Sequence, residues 1–313
     1  MRKIAIVGAG RVGEAAAQFI ASQELAREVV LLDIRENAAR GVALDIIQTA
    51  PFLRFDTRVE GSDDPAILAG SELVVITAGV PRKPGMSRSD VLETNAKVID
   101  AILDQVMAQA PQAMILMVTN PVDVLTWRAW QRTGWPRERI LGQAGVLDAS
   151  RMAAFIAMET GFSVRDITTI VLGGHGDSMV PLARYCTING IPIDRFLGPD
   201  QIRDIIQRTR DGGAEILALR KISSAYDAPG ASVAAMVDAI ARDRRRLLPC
   251  VAVLDGEYGQ RDIAMGVPCV LDHRGLAQVV ELALNDEELA AFQRSAEAVA
   301  ADIARLKAGF PDA

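Results

Sequence analysis

Only two histidines occur in the chain, His175 and His273, and their settings differ. His175 stands in "VLGGHGDSMVP", at the end of an apolar run, with Gly173, Gly174 and Gly176 beside it. Glycines there leave no side chain to bar a ligand from the imidazole. A ring that titrates near neutral pH is then suited to general acid/base chemistry. His273, in "LDHRG", reads as a turn residue. A base of this type needs a group to orient it. "GVLDASRM" (145–152) supplies Asp148 and Arg151, three residues apart and therefore on one face of a predicted helix. Asp148 can accept from one ring nitrogen and stabilise the imidazolium. Arg151 offers a planar fork that matches a carboxylate. The same spacing also suits a surface ion pair at a helix start. "VTNPVD" places Asn120 at the C-terminal end of a predicted strand, where open α/β sheets bind ligands. Taken alone, Asn120-Pro121 is equally a turn.

A second group of chemistry-bearing residues is cationic. "TAGVPRKPGMSRSD" (77–90) leaves an apolar run and gathers Arg82, Lys83 and Arg88 among two prolines and a glycine. The chain as a whole carries −6, from 34 Lys and Arg against 40 Asp and Glu. That balance argues against nucleic acid or an anionic membrane as partner, so an anionic ligand must be met by locally placed cations.

A third group is the glycine series of "IVGAGRVGEAA", in which Gly8, Gly10 and Gly13 follow a strand and open a helix. Gly8 permits the tight turn, Gly10 lets a pyrophosphate approach the backbone, and Gly13 lets helix and strand pack. Asp33 lies twenty residues beyond Gly13, at the end of the next strand, where its carboxylate can accept from both ribose hydroxyls. It would repel a 2′-phosphate, which favours NAD over NADP, although Arg35 nearby offers that phosphate a host.

Elements able to carry these groups follow from the apolar pattern. "KIAIV" (3–7), "VVLLD" (29–33), "ELVVITA" (72–78) and "AMILMVT" (113–119) read as strands buried on both faces. Helical periods lie between them, as over 89–109, which predicts an α/β fold with a Rossmann, doubly wound parallel sheet. The second half changes character: "YCTINGIPI" (185–193) signals a hairpin, two further antiparallel candidates follow, and long helices are expected over about 200–221, 223–247 and 286–307. We therefore expect a dinucleotide-binding domain over 1–144 and a C-terminal α+β domain over 145–313. The stretch 223–241 is apolar nearly all round and needs cover on more than one side, for which a subunit interface is one candidate. Cys186, Cys250 and Cys269 are scattered and form no Cys-x-x-Cys, so neither a disulfide framework nor a zinc site is expected. No long uninterrupted apolar stretch predicts a membrane span, and a cytoplasmic protein is the expectation.

Taken together, "GAGRVG", "TAGVPRKPGMSRSD", "VTNPVD", "GVLDASR", "GGHGDSMVPL" and "ISSAYDAPGASV" resemble the lactate/malate dehydrogenase family, collinearly over nearly the whole chain. The resemblance implies hydride transfer between a 2-hydroxy acid and NAD, with the cofactor binding first. It implies that His175 donates and accepts the proton with Asp148 as partner, and that Arg151 binds the α-carboxylate. Asn120 would contact substrate and cofactor, Asn95 would contact the cofactor, and Arg88 would polarise the reacting carbonyl from a loop. Arg82 stands where lactate-specific members typically carry glutamine, which points to the dicarboxylate pair malate and oxaloacetate. Ala225, in "SSAYDAP", would leave room for that larger substrate. A homodimer or homotetramer is implied as well. One departure is Asp272, where the family often has glycine; it falls in a turn and touches none of these roles. The rival readings are a dehydrogenase of another 2-hydroxy acid, an NAD-dependent glycosidase with a metal, and a non-catalytic NAD-binding module.

Overall fold

Four runs of β-branched and long aliphatic residues, each ending in a glycine, threonine or aspartate, set the frame. In the computed structural model, which describes residues 1–80 and 88–309 but not the side chains of 88–90, they become central strands. The first half runs β1 (Lys3–Val7), α1 (Arg11–Ser22), β2 (Glu28–Leu32), α2 (Ala38–Leu53), β3 (Arg58–Ser62), β4 (Leu73–Ile76), α3 (Arg88–Gln109), β5 (Met114–Met117), α4 (Val122–Thr133) and β6 (Ile140–Gly142). The second half runs α5 (Gly145–Thr160), five two-residue strands β7 (Ile167–Thr168), β8 (Val171–Leu172), β9 (Val180–Pro181), β10 (Thr187–Ile188) and β11 (Ile191–Pro192), then α6 (Pro199–Arg220), α7 (Asp227–Ala241), β12 (Arg246–Asp255), β13 (Arg261–Asp272), β14 (Gly275–Val279) and α8 (Asp286–Gly309).

Strands β3-β2-β1-β4-β5-β6 pair in parallel in that spatial order. The connection therefore reverses direction beside β1, and a crevice opens outside the C-terminal ends of β1, β4 and β5. Ile4, Ile6, Val30, Leu31, Val74, Val75, Ile115 and Leu116 are all fully buried, which explains the unbroken apolar runs.

The last two antiparallel candidates of the second half are antiparallel but join the parallel sheet, whereas the hairpin at 185–193 pairs with β7 in a small sheet apart. β12 pairs with the edge of β6 (Ala252 opposite Leu141, Val251 opposite Gly142) and carries β13 and β14 with it. Among the described residues the sheet thus has nine strands. Pairing β12 on β6 satisfies backbone groups that an apolar edge strand would leave open. The predicted hairpin forms, with Asn189 and Gly190 at φ of 48° and 83°, as a two-residue primed turn requires. His273 sits in the turn between β13 and β14 and faces Asp243 at 3.1 Å.

One expectation about 223–247 needs correction. The helix ends at Ala241, because "RDRRR" has no apolar period to continue it, and Asp243 and Arg245 take positive φ before β12 starts. Val233, Ala234, Met236, Val237, Ala239 and Ile240 are fully buried against α1, α5 and β13, whereas Ala231 is exposed and Ala235 half-buried. A Cβ on Gly230 would lie 2.6 Å from the Ala15 side chain, so the missing side chain is what lets α7 close on α1. The large exposed apolar side chains are elsewhere, including Leu44, Ile47, Phe52 and Leu53 on α2. All three cysteines are buried and free. Among the described residues no helix is long and apolar enough to cross a membrane.

Candidate active site

The glycine turn links β1 to α1 across the crevice. Gly8 has φ of +105°, and a Cβ there would lie 2.6 Å from the Ala78 amide nitrogen. A Cβ on Gly13 would collide with the Gly8 carbonyl, whereas one on Gly10 meets nothing within 4 Å. Two glycines are thus required by the protein's own packing, and the third keeps a space that the protein does not fill. We expect Gly13→Ala to destabilise the fold by about 1–3 kcal/mol through overpacking. Gly10→Ala should leave the melting temperature unchanged and weaken NADH binding in a fluorescence titration.

Asp33 follows β2 and is almost wholly buried. Its Oδ2 accepts from the Ala9 N–H at 2.8 Å and its Oδ1 from the Arg35 N–H at 2.9 Å. The Arg35 guanidinium folds back onto the same carboxylate, with Nε 2.9 Å from Oδ1. Burial pushes this carboxyl up, but the Arg35 bonds and the Ala9 N–H outweigh it, and the net shift is downward. Arg35 is therefore engaged with Asp33, and ribose hydroxyls would compete with it for the two oxygens.

The centre of the crevice is a cavity of about 550 Å³. Asn95, Asn120, Asp123, His175 and Ser224 line it, together with residues of the turns after β4 and β5 and of α8. His175 Nδ1 lies 2.8 Å from Asp148 Oδ2 on α5. A carboxylate only accepts, so Nδ1 carries the proton and Nε2 is the nitrogen left for exchange. Burial alone would lower the imidazole pKa; the Asp148 charge and hydrogen bond outweigh it, with help from Asp123, and raise it above the ordinary 6.5. Asp148 Oδ1 accepts from Arg151 Nη1 at 3.1 Å, which ties all three side chains into one chain of contacts. Arg151 Nε is buried and has no hydrogen-bond partner among the described residues.

Asn95, on α3, accepts from the Val80 N–H at 2.7 Å and donates to the Asn120 carbonyl at 2.8 Å. Its amide thus holds the turns after β4 and β5 in place while its edge borders the cavity. Ala225 is half-buried beside Ser224 and is not among the lining residues. Arg82 lies outside the described residues, as does the side chain of Arg88, whose backbone begins α3.

Two contributors escaped the sequence reading. Asp123, in the first turn of α4, accepts the His175 main-chain N–H at 2.8 Å, and Ser295, on α8, accepts that of Gly174 at 2.8 Å. Burial raises the Asp123 carboxyl to about 6. An acid near a helix N-terminus is commonly explained by the helix dipole, so Asp123 carried no separate signal.

Comparison with known proteins matches residues 2–142 to the NAD binding domain of lactate/malate dehydrogenases and residues 145–309 to their alpha/beta C-terminal domain. The chain belongs to the lactate/malate dehydrogenase family. It is 64% identical over 307 residues to a malate dehydrogenase of Thioalkalivibrio sulfidiphilus, covering 98% of this chain and 100% of that one. A malate dehydrogenase of Nitrosococcus oceani is 60% identical, with 98% of each covered. Among solved structures, the malate dehydrogenase from Salinibacter ruber superposes with a TM-score of 0.94 at 40% identity, covering 98% of each chain. The lactate dehydrogenase from Cryptosporidium parvum, complexed with lactic acid and nicotinamide adenine dinucleotide, gives the same TM-score at 34% identity, again with 98% of each covered. Fold alone therefore does not separate the two substrates. The chain is an NAD-dependent oxidoreductase, and the vacant Cβ space at Gly10 beside the acceptor Asp33 fits that cofactor.

Proposed function

We propose that this protein is a malate dehydrogenase that interconverts (S)-malate and oxaloacetate with NAD. The observation that carries the reaction is the Asp148–His175 contact, 2.8 Å long, with the imidazole on the cavity wall beside Asn120. The dicarboxylate rests on Arg82 and on relatives named malate dehydrogenase at 64% and 60% identity.

NAD held at the glycine turn would supply the hydride acceptor for C2 of malate and, in its reduced form, the hydride donor for oxaloacetate. Neutral His175 takes the hydroxyl proton on Nε2 while Asp148 stabilises the imidazolium that results. In the reverse direction protonated His175 gives that proton to the carbonyl oxygen. Arg88 is assigned to the negative charge that develops on this oxygen, Arg151 to the C1 carboxylate and Arg82 to the distal one. Asn120 orients the reacting centre and Asn95 holds Asn120, while Ala225, outside the cavity lining, takes no part in this assignment. Gly8, Gly10, Gly13 and Asp33 seat the dinucleotide. We retain a homodimer or homotetramer as the assembly, with the part of α7 that the chain leaves uncovered, including Ala231, as one candidate contact.

Mixing the protein with NADH and oxaloacetate should bleach the reduced nicotinamide far faster than mixing it with NADH and pyruvate. A preference for pyruvate would overturn the substrate, and no bleaching with either would overturn the reaction.

A further inference from the structure

The turn that carries His175 is built from backbone with unusual freedom. Gly173 and Gly176 hold φ of +84° and +111°, and three glycines surround the one residue whose position matters most. Such a turn does not fix its own geometry. Three outside contacts do so. Gly173 exchanges main-chain bonds with Gly266, Gly174 donates to Ser295, and His175 itself donates its main-chain N–H to Asp123 Oδ2. Asp148 holds the ring, so Asp123 and Asp148 grip one residue at its two ends.

Asp123 is only 5% exposed, and its second oxygen, Oδ1, is buried with no hydrogen-bond partner among the described residues. A buried carboxylate with one oxygen unpaired is a costly way to satisfy a single N–H, and an amide or hydroxyl would serve that need at less cost. The charge therefore calls for its own explanation. Asp123 also begins the helix that follows Asn120-Pro121, so the group that meets the substrate and the group that fixes His175 are three residues apart on one rigid start.

We propose that Asp123 is a positioning residue for the acid/base centre: its carboxylate fixes His175 through the main chain and places a second negative charge beside the imidazole. This rests on the assignment of His175 as the proton carrier. The charged groups around the ring are Asp148 and Arg151 on α5 and Asp123 on α4, while Asp177 in the same turn and Asp302 on α8 line the same cavity. Both Asp148 and Asp123 favour the imidazolium, and Arg151 opposes them.

The test uses Asp123→Asn and Asp123→Ala in the whole protein, with turnover and the His175 titration both measured. With two histidines in the chain, ring signals in NMR are assigned by the one that His273→Asn removes. Asp123→Asn keeps an acceptor for the N–H and loses the charge. It should retain the oxaloacetate KM, lower kcat by about tenfold, and move the His175 titration to lower pH. Asp123→Ala loses the grip as well, and a displacement on the ångström scale predicts a fall in kcat of about a hundredfold. An unmoved His175 titration in Asp123→Asn, or an Asp123→Ala variant with wild-type kcat, overturns the proposal. If Asp123→Ala does not fold, the titration of Asp123→Asn decides. If the wild type turns over neither oxaloacetate nor pyruvate, the proposed reaction fails while the titration still tests the role of Asp123.

Discussion

Replacing His175 by asparagine is expected to abolish nearly all turnover while NADH still binds with wild-type affinity. Asparagine is similar in size and can keep a hydrogen bond to Asp148, so the glycine turn and the cavity wall should survive. What it lacks is a titratable proton on the cavity side. General acid/base catalysis is worth about 10²–10⁴-fold, and loss towards the upper end is expected where a single group serves both directions. The pH dependence supplies a second signature. Because the Asp148 charge outweighs burial, the His175 pKa lies above 6.5. Reduction of oxaloacetate needs the imidazolium, so above about pH 6, where Asp123 is charged, its kcat/KM should fall as pH rises through the raised His175 pKa. Oxidation of malate needs neutral imidazole and should rise over the same window. Both limbs should be absent from the residual activity of His175→Asn, measured from pH 5 to 9 in steady state. Wild-type turnover in the variant would remove His175 from the mechanism.

What could be read before the structure depended on whether the signal was local. The strands of the first half announce themselves because burial on both faces leaves no polar alternation, and β1, β2, β4 and β5 lie within a residue or two of the expected spans. Gly8, Gly10 and Gly13 were legible because the turn needs them within six residues of one another. The contact of Asp148 with His175 spans 27 residues, yet it is legible because Asp148 and Arg151 stand three apart in a motif that the family resemblance pairs with the histidine. Asp123 was not, although "VTNPVD" had been singled out: its bond runs to a main-chain N–H 52 residues away, and backbone groups leave no mark in sequence. Ser295, 121 residues from Gly174, was hidden for the same reason. The joining of β12 to β6 was missed because edge pairing depends on which strand is left uncovered, a property of the assembled sheet. Asp33 is legible from its spacing to the glycines, whereas the Arg35 side chain folded onto its carboxylate is a contact that the motif does not announce.

Substituting Arg82 by glutamine is expected to move the enzyme away from its dicarboxylate. The described residues lining the cavity include Asp123, Asp177 and Asp302 and contain no lysine or arginine. Positive charge for two carboxylates would therefore come from side chains other than these. Arg151, held on Asp148 with its Nε still unpartnered among the described residues, is the residue proposed for one carboxylate. The second has no counterpart in pyruvate, and on the proposed assignment Arg82 meets it while Arg88 serves the carbonyl. Truncating one member of a buried charge pair costs about 2–5 kcal/mol, mostly because the other charge stays buried and unpaired. At about 1.4 kcal/mol per tenfold, kcat/KM for oxaloacetate should fall by roughly thirtyfold to several thousandfold. Pyruvate places a methyl group at that end, and glutamine is neutral, so its kcat/KM should hold steady or rise. The ratio of the two specificity constants, measured at saturating NADH, therefore isolates Arg82 from any general damage to the site. An unchanged ratio would place the distal carboxylate elsewhere and leave the choice of malate without its physical basis.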